Sequence, residues 1–251
     1  SRSPSCNSNL AVSSYIFGRP VPLIVLEGSG NSRVLLGPTV PTSRGADKGG
    51  GSPCSASLPV GTLAAMALST AHRLTVDEFF ALPGELVHTE LVAGEIVVDS
   101  PSVRHQDLGG WIYFQFMKHL EAHPGAGRAG IELITRLDEH NAFVPDTWFN
   151  VPGHELAEDG KGHLGPPDLA VEVRSPSTWR RDRTVKKDHY EAHGLPELWL
   201  VDTVADEIVV HRRSSPDSPT FDVVFTVREG DVLTTPIIPG FALDVTDLFD
   251  R

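Results

Sequence analysis

The amino-acid composition changes abruptly near residue 65, and this change limits which part of the chain can fold. Residues 1–65 contain 12 Ser, 9 Gly and 7 Pro but only seven charged residues, and they show no sustained helical or strand period. Such a segment buries too little apolar surface to offset the entropy lost on ordering. We therefore predict that residues 1–65 are a flexible leader without chemistry and that residues 66–251 form one domain. A processed targeting peptide is the alternative interpretation of the leader.

The charge balance of the domain excludes several classes of protein. Residues 66–251 carry 16 basic and 31 acidic residues, a net charge of −15. This balance argues against general coating of nucleic acid through phosphate contacts, but it allows an enzyme with a locally basic cleft. No apolar run approaches the ~20 residues that span a bilayer, so we expect no membrane partner. Both cysteines, Cys6 and Cys54, lie in the leader. The domain therefore has neither a disulfide nor a thiolate metal site, which fits a reducing, cytoplasmic location.

Short apolar strands and two amphipathic helices alternate irregularly along the domain. Apolar residues with a period near 3.6 predict a long helix over 106–123, and a basic helix is predicted over 181–193. Strands are predicted, among others, at 86–92, 95–99 and 168–174. Because regular βαβ alternation is missing, the pattern predicts an α+β fold with a mixed central β-sheet flanked by helices.

Three acidic residues interrupt short apolar strands. Alternation over 168–174 places Glu172 in the middle of one strand, Asp146 follows Pro145 at the start of another, and Glu90 lies inside the first hairpin strand. A buried carboxylate is unfavourable unless it is paired or binds a metal. If the three acids converge, they suit one hard cation such as Mg²⁺. An ion pair between Glu172 and a nearby arginine is the other interpretation.

A basic cluster directly follows the strand that carries Glu172. Its members are Arg180, Arg181, Arg183, Lys186 and Lys187. A solvated helix face is the ordinary explanation of such a cluster. Beside several carboxylates, however, it suits phosphodiester chemistry, in which a metal polarises the phosphate and a lysine stabilises the developing negative charge. Lys186 and Tyr190 have i, i+4 spacing and therefore share one face of the predicted helix.

Several segments of the domain, in this order, resemble the Uma2 (DUF820) family of restriction-endonuclease-like proteins. They are ELVAGEIV at 90–97, SVRHQ at 102–106, PD at 145–146, PDLAVEVRSPST at 167–178, Lys186, Tyr190, GLPELWLVD at 194–202 and PGF at 239–241. Each segment alone is weak, but their combination and order are specific. The resemblance covers essentially all of residues 66–251 and none of the leader.

The resemblance implies the PD-(D/E)XK nuclease fold and an endonuclease that hydrolyses phosphodiester bonds in DNA with Mg²⁺ or Mn²⁺. Asp146 and Glu172 would then bind the metal, with Glu90 as a supporting acid. The third position of the (D/E)-x-K triplet is Arg174, which is always protonated and cannot shuttle a proton. We therefore expect Lys186 to supply the ammonium group, while Arg174 stays open as the alternative.

The remaining polar residues are assigned with less support from the sequence. His105 begins the long helix, where it could accept a proton or contact a phosphate, or could instead bond to the backbone or to a neighbouring acid. His154 and His163 lack metal-ligand spacing, and we expect them at the surface. The expected nucleic-acid contacts are Arg180, Arg181, Arg183 and Lys187.

The expected partner is DNA, with RNA left open, and we expect a homodimer because two-fold symmetry is the commonest assembly. A catalytically silent module on the same fold, binding nucleic acid or protein, is the alternative from another class. A structural or oligomerisation protein is the third reading. That last reading requires Glu90, Asp146 and Glu172 to be scattered over the surface, whereas a nuclease requires them to meet.

Overall fold

The computed structural model describes residues 73–83, 88–154, 156–157, 162–176 and 178–251, together with the backbone of three strands near the N-terminus. The chain divides into two units, Ser1–Thr62 and Leu63–Arg251. The first unit contains an antiparallel sheet with the order β1 (Ala11–Ile16), β2 (Arg19–Gly28) and β3 (Asn31–Leu36).

These three strands lie within the predicted leader, where the sequence shows no sustained strand period. An antiparallel ladder is made by backbone N–H and C=O groups, so it does not require alternating apolar side chains. These strands are a local feature that the sequence pattern does not show. The rest of residues 1–65 lies outside the described residues, and both its flexibility and the domain boundary at residue 66 stay predictions.

The second unit contains strands and helices in mixed order. Its strands are β4 (Thr89–Val92), β5 (Glu95–Val98), β6 (Arg128–Ile131), β7 (Thr135–Asp138), β8 (Asn141–Phe143), β9 (Thr147–Asn150), β10 (His163–Leu164), β11 (Leu169–Val173), β12 (Glu197–Asp202), β13 (Glu207–Arg212), β14 (Val223–Val227), β15 (Val232–Leu233) and β16 (Leu243–Asp244). Its helices are α1 (Val76–Phe80), α2 (Val103–Ala122), α3 (Trp179–Arg181), a π segment (Asp182–Lys186), α4 (Lys187–Ala192) and α5 (Val245–Phe249). The predicted α+β class is confirmed.

The predicted mixed central sheet has six strands in the order β14-β13-β12-β11-β9-β6. Strands β11 and β12 run parallel, and the other neighbours run antiparallel. Helix α2 belongs to the same core because its buried Leu108 and Phe116 cluster with Phe149 and Trp199 of the sheet. The apolar period over 106–123 therefore predicts this helix correctly.

A second sheet has five strands in the order β10-β7-β8-β4-β5. Its β4–β5 hairpin turns at Ala93 and Gly94, which both have positive φ, as a two-residue type I′ turn requires. A Cβ at Gly94 would lie 2.6 Å from the Cβ of Arg73, so this turn accepts only glycine. The hairpin predicted around these two residues is confirmed, with shorter strands.

An apolar cluster joins the two sheets and positions the charged residues. Phe143 of β8 packs in one buried cluster with Ala170 of β11 and with Tyr190 of α4. This packing brings β4, which carries Glu90, towards β11, which carries Glu172. Among the described residues, no helix combines the length and the apolar character needed to cross a bilayer.

Candidate active site

A small cavity where β4, β11 and the π segment meet collects most of the charged residues that the sequence singles out. Its titratable lining consists of six carboxylates, one ammonium group and two imidazoles: Glu90, Asp99, Glu132, Asp146, Glu172, Asp182, Lys186, His88 and His105. The cavity measures about 30 Å³, which is room for water-sized species or a metal ion. The three predicted acids therefore meet in one cavity. The hypothesis of a structural protein requires these acids to be scattered over the surface, and they are not.

Lys186 forms ion pairs with acidic residues of both sheets. Its Nζ lies 2.6 Å from Oε2 of Glu172, 2.8 Å from Oε1 of Glu90 and 3.7 Å from Oδ1 of Asp182. Burial acts to lower the pKa of Lys186, but the charges of Glu172 and Glu90 raise it well above its ordinary value. The ammonium group therefore stays charged and cannot serve as a proton acceptor.

The π segment lies in the part of the helix that places Asp182 and Lys186 in the cavity. The backbone N–H of Lys187 donates to the carbonyl of Asp182, five residues earlier, so the chain has one extra residue in this turn. Asp182, Lys186 and Tyr190 are all buried, and Tyr190 shares the face that its spacing predicts. Such π segments occur frequently at functional sites. The basic helix predicted over 181–193 is observed, but its π segment is a feature that the apolar period does not show.

Two donors hold the carboxylate of Glu172 in the middle of β11. Lys186 contacts Oε2, and the hydroxyl of Tyr190 donates to Oε1 over 3.0 Å. Burial raises the pKa of Glu172 well above its ordinary value; Lys186 opposes this, while the charges of Asp146 and Asp182 add to it. Glu172 thus forms an ion pair with the following helix, but its partner there is Lys186 and not an arginine.

Asp146 is held through one of its two oxygens. The backbone N–H of Val173 donates to Oδ2 over 2.6 Å, and Nε2 of His105 lies 3.2 Å from the same atom. Among the described residues, Oδ1 has no hydrogen-bond partner. Burial acts to lower the pKa of His105, but the hydrogen bond and the charge of Asp146 raise it overall. Of the alternatives for His105, contact with a neighbouring acid is the one observed.

A further carboxylate of the cavity, that of Asp182, is absent from the residues predicted by sequence. It is 2% exposed, its Oδ2 accepts a hydrogen bond from Thr178 at 2.7 Å, and its Oδ1 has no hydrogen-bond partner among the described residues. Burial raises the pKa of Asp182 although Lys186 and Thr178 lower it. Its position four residues before Lys186, matching the spacing from Lys186 to Tyr190, is the signal that points to it.

Arg174 does not reach the cavity. Its Nη1 lies 2.7 Å from Oδ1 of Asp202, and its guanidinium lies 5.5 Å from the ring centroid of Trp179. Glu90 is instead paired with Lys186 and accepts the backbone N–H of Val144 at 2.7 Å. Between the two alternatives for the ammonium position, the geometry favours Lys186.

The predicted nucleic-acid contacts differ in exposure. Arg180 and Arg183 are exposed, whereas Arg181 and Lys187 are half-buried. Nζ of Lys187 is already paired with Asp188 at 2.9 Å and with a second acid on the same helix. The exposed arginines are therefore better placed than Lys187 to contact a phosphate.

The two loop histidines are not surface residues as expected. His163 is fully buried in β10, between Thr135 and Asn150, and His154 is largely covered beside Asp168. Burial lowers the pKa of His163 to about 4, so this imidazole is neutral. The prediction fails because partners distant in sequence, brought in by the parallel pairing of β10 with β7, enclose the ring.

The sequence matches the Uma2 family model, described as "Putative restriction endonuclease", over residues 76–246. The chain belongs to the Uma2 family. Four solved chains are similar to it, among them a DUF820 protein of Anabaena variabilis ATCC 29413 described as a putative nuclease. That structure superposes with a TM-score of 0.60 at 22% identity, covering 70% of this chain and 98% of the other, and it shows that the fold is shared. The curated proteins contain no match.

The donor set of this Uma2 protein fits a hard divalent cation. Six carboxylates face one ammonium group and two imidazoles, so an excess of negative charge remains when the acids are ionised. Oδ1 of Asp146 and Oδ1 of Asp182 lack hydrogen bonds among the described residues. Carboxylate oxygens are the ligands that Mg²⁺ and Mn²⁺ prefer, and a divalent ion would offset the excess charge.

Proposed function

We propose that this Uma2 protein is an Mg²⁺- or Mn²⁺-dependent endonuclease that hydrolyses phosphodiester bonds in DNA. The observation that carries the proposal is the excess of carboxylates over cations in one small cavity, with Lys186 between Glu172 and Glu90. A buried excess of like charge is unfavourable, so it is retained where it binds something of opposite charge.

In this proposal, Lys186 and four carboxylates of the cavity have distinct roles. Asp146 and Glu172 hold the cation, while Glu90 supports them and Asp182 joins the set. When bound, the cation polarises a phosphate and lowers the pKa of a water. Lys186 fixes the carboxylates of Glu172 and Glu90 and stabilises the negative charge that develops on the phosphate.

His105 acts as a positioning residue for Asp146. Its Nε2 contacts Oδ2 of Asp146, and its backbone N–H is held by the side chain of Ser102 at the start of α2. This arrangement fixes the orientation of the Asp146 carboxylate, so that Oδ1 is available to a ligand. We therefore assign no proton transfer from substrate to His105.

The exposed arginines after Glu172 provide the phosphate contacts. Arg180 and Arg183 lie on the helix that carries Lys186, and Arg181 and Lys187 add positive charge nearby. Because the domain carries a net charge of −15, its binding to DNA is expected to be weak and steeply salt-dependent. Arg180→Ala should weaken binding to all sequences and reduce the slope of log K against log salt by about 1.

The proposal is tested by cleavage of covalently closed circular DNA. Asp146→Asn and Glu172→Gln should each reduce Mg²⁺- or Mn²⁺-dependent cleavage by about 10²- to 10³-fold or more while far-ultraviolet circular dichroism stays unchanged. Asp168→Asn is the matched control, because Asp168 immediately precedes the strand that carries Glu172 but accepts a hydrogen bond from the N–H of Val151 outside the cavity. Chelation by EDTA should abolish cleavage by the unchanged protein.

Two outcomes would contradict the proposal. Equal loss in Asp168→Asn would show that the acids act through folding, and cleavage that survives EDTA would exclude a role for the cation. DNA binding with no cleavage under either metal would support the silent binding module instead, and a parallel labelled RNA substrate decides between the nucleic acids. The homodimer and the cytoplasmic location stay predictions.

A further inference from the structure

A second group of metal-ligand side chains lies outside the active-site cavity. Asp138 at the end of β7 faces His189 of α4 and His193, which directly follows α4 and lies about one turn after His189. One ligand atom from each residue lies within 4.8 Å of the other two. We infer that these three side chains form a second metal site, specific for Zn²⁺ or a similar first-row transition ion.

The distances within this group suit a shared ion better than hydrogen bonds. Oδ2 of Asp138 lies 3.6 Å from Nδ1 of His189 and 3.7 Å from Nε2 of His193, and both distances exceed those of hydrogen bonds. Around a tetrahedral Zn²⁺ with ligands at about 2.0–2.1 Å, two ligand atoms are separated by about 3.3–3.4 Å. The observed separations therefore need only a small adjustment.

Surrounding groups orient two of the ligands for this role. Nδ1 of His193 lies 2.8 Å from the carbonyl of His189, which fixes Nδ1 as the donor and leaves Nε2 with its lone pair directed towards Asp138. The Asp138 carboxylate accepts from the N–H of His140 at 2.9 Å and from Nδ2 of Asn141. Hydrogen bonds of this type around ligands are typical of metal sites.

The ligand types separate this site from the active-site cavity. Two imidazoles and one carboxylate favour Zn²⁺ over Mg²⁺, which takes oxygen ligands. The three side chains are each about one-third exposed, so an ion has access from solvent and a fourth position is open to water. A bound ion would link α4 to the end of β7, and α4 directly follows the π segment that carries Lys186.

The test is a Zn²⁺ titration of the full-length chain by isothermal calorimetry, with thermal unfolding as a second readout. His193→Gln and Asp138→Asn should each weaken Zn²⁺ binding by at least about tenfold and remove the Zn²⁺-dependent rise in Tm. His123→Gln is the matched control. His119 and His123 have the same spacing and the same Nδ1-to-carbonyl contact, but among the described residues no carboxylate completes a three-ligand group with them.

The outcomes decide the inference independently of cleavage. Glu172→Gln should keep Zn²⁺ binding at this site, because it changes only the active-site cavity. Mg²⁺ in place of Zn²⁺ should give no binding that depends on His193. If His193→Gln and His123→Gln bind Zn²⁺ as tightly as the unchanged chain, or lose binding equally, the site does not exist.

Discussion

Two buried glutamates on neighbouring parallel strands have opposite surroundings. Glu197 of β12 is fully buried and is held by Arg212 at 2.6 and 3.0 Å, by Nε1 of Trp199 at 2.6 Å and by the hydroxyl of Thr235 at 2.9 Å. Glu172 of β11 is also buried, but among the described residues its donors are Lys186 and Tyr190, and Lys186 is shared with Glu90 and Asp182.

The difference separates a structural acid from a candidate catalytic one. One guanidinium balances the charge of Glu197, and both of its oxygens are fully used, which is the arrangement that makes a buried ion pair tolerable. The acids around Glu172 outnumber their cations. Among the described residues, Oδ1 of Asp146 and Oδ1 of Asp182 have no hydrogen bond, and Oδ1 of Asp182 lies 3.7 Å from Nζ of Lys186. Burial of a glutamate is therefore not itself a sign of function, whereas a buried excess of acids is.

The largest expected effect on stability comes from removing the positively charged side chain beside each glutamate, which is Lys186 for Glu172 and Arg212 for Glu197. Lys186→Met leaves several carboxylates facing one another and should lower the free energy of unfolding by about 3–5 kcal/mol without divalent metal. Mg²⁺ or Mn²⁺ should restore part of this loss, since the ion replaces the missing charge. Arg212→Met should also destabilise the protein but should show no response to metal.

Chemical unfolding with and without Mg²⁺ measures both variants. The comparison fails if Arg212→Met gains as much stability from Mg²⁺ as Lys186→Met does, because the two sites would then not differ in their affinity for cations.

A smaller difference is expected when each glutamate is neutralised. Glu197→Gln leaves the guanidinium of Arg212 without its counter-charge and should cost about 3 kcal/mol. Glu172→Gln removes one of the crowded negative charges, so its stability should change by less than about 1 kcal/mol. Urea unfolding of both variants without metal checks this, and an equal loss in the two would show that Glu172 is as structural as Glu197.

The sequence predicts the parts of this site that depend on local pattern. The sequence alone predicts the hairpin that carries Glu90, the apolar strand around Glu172 and the i, i+4 spacing of Lys186 and Tyr190. The resemblance to Uma2 then assigns these separate features to one site. Asp182 has the same i, i+4 spacing to Lys186, but this spacing alone does not separate a cavity residue from a solvated one, and the π segment departs from the 3.6-residue period on which helical patterns depend. The division of the strands into two sheets is likewise set by long-range pairing.

His163 is a third kind of buried titratable residue, next to the balanced Glu197 and the crowded Glu172. Its imidazole is buried without a counter-charge among the described residues. Its pKa falls from 6.5 to about 4, so between these values the unfolded chain binds a proton that the folded chain does not. The contribution of His163 to stability should therefore be fully present above pH 6.5 and fall by about 3 kcal/mol as the pH drops to about 4.

His163→Gln should be less stable at neutral pH but should lack this part of the acid dependence. The difference in unfolding free energy between the two proteins, followed from pH 7 to pH 4, isolates the effect from the carboxylates that titrate in both. A constant difference over this range would mean that His163 has the same pKa in the folded and the unfolded protein.

The smallest expected effect on stability comes from removing the hydroxyl group that donates a hydrogen bond to each glutamate. Tyr190→Phe removes the donor to Glu172, and Thr235→Val removes the donor to Glu197, so each should cost about 1–2 kcal/mol. Loss of a donor to a carboxylate also raises its pKa. If Glu172 must be ionised for cleavage, the acid limb of the cleavage–pH profile should move to higher pH in Tyr190→Phe and stay in place in Thr235→Val. A profile unmoved in both variants would show that the hydroxyl of Tyr190 only packs against Glu172, and a shift in both would show that the two glutamates belong to one coupled network.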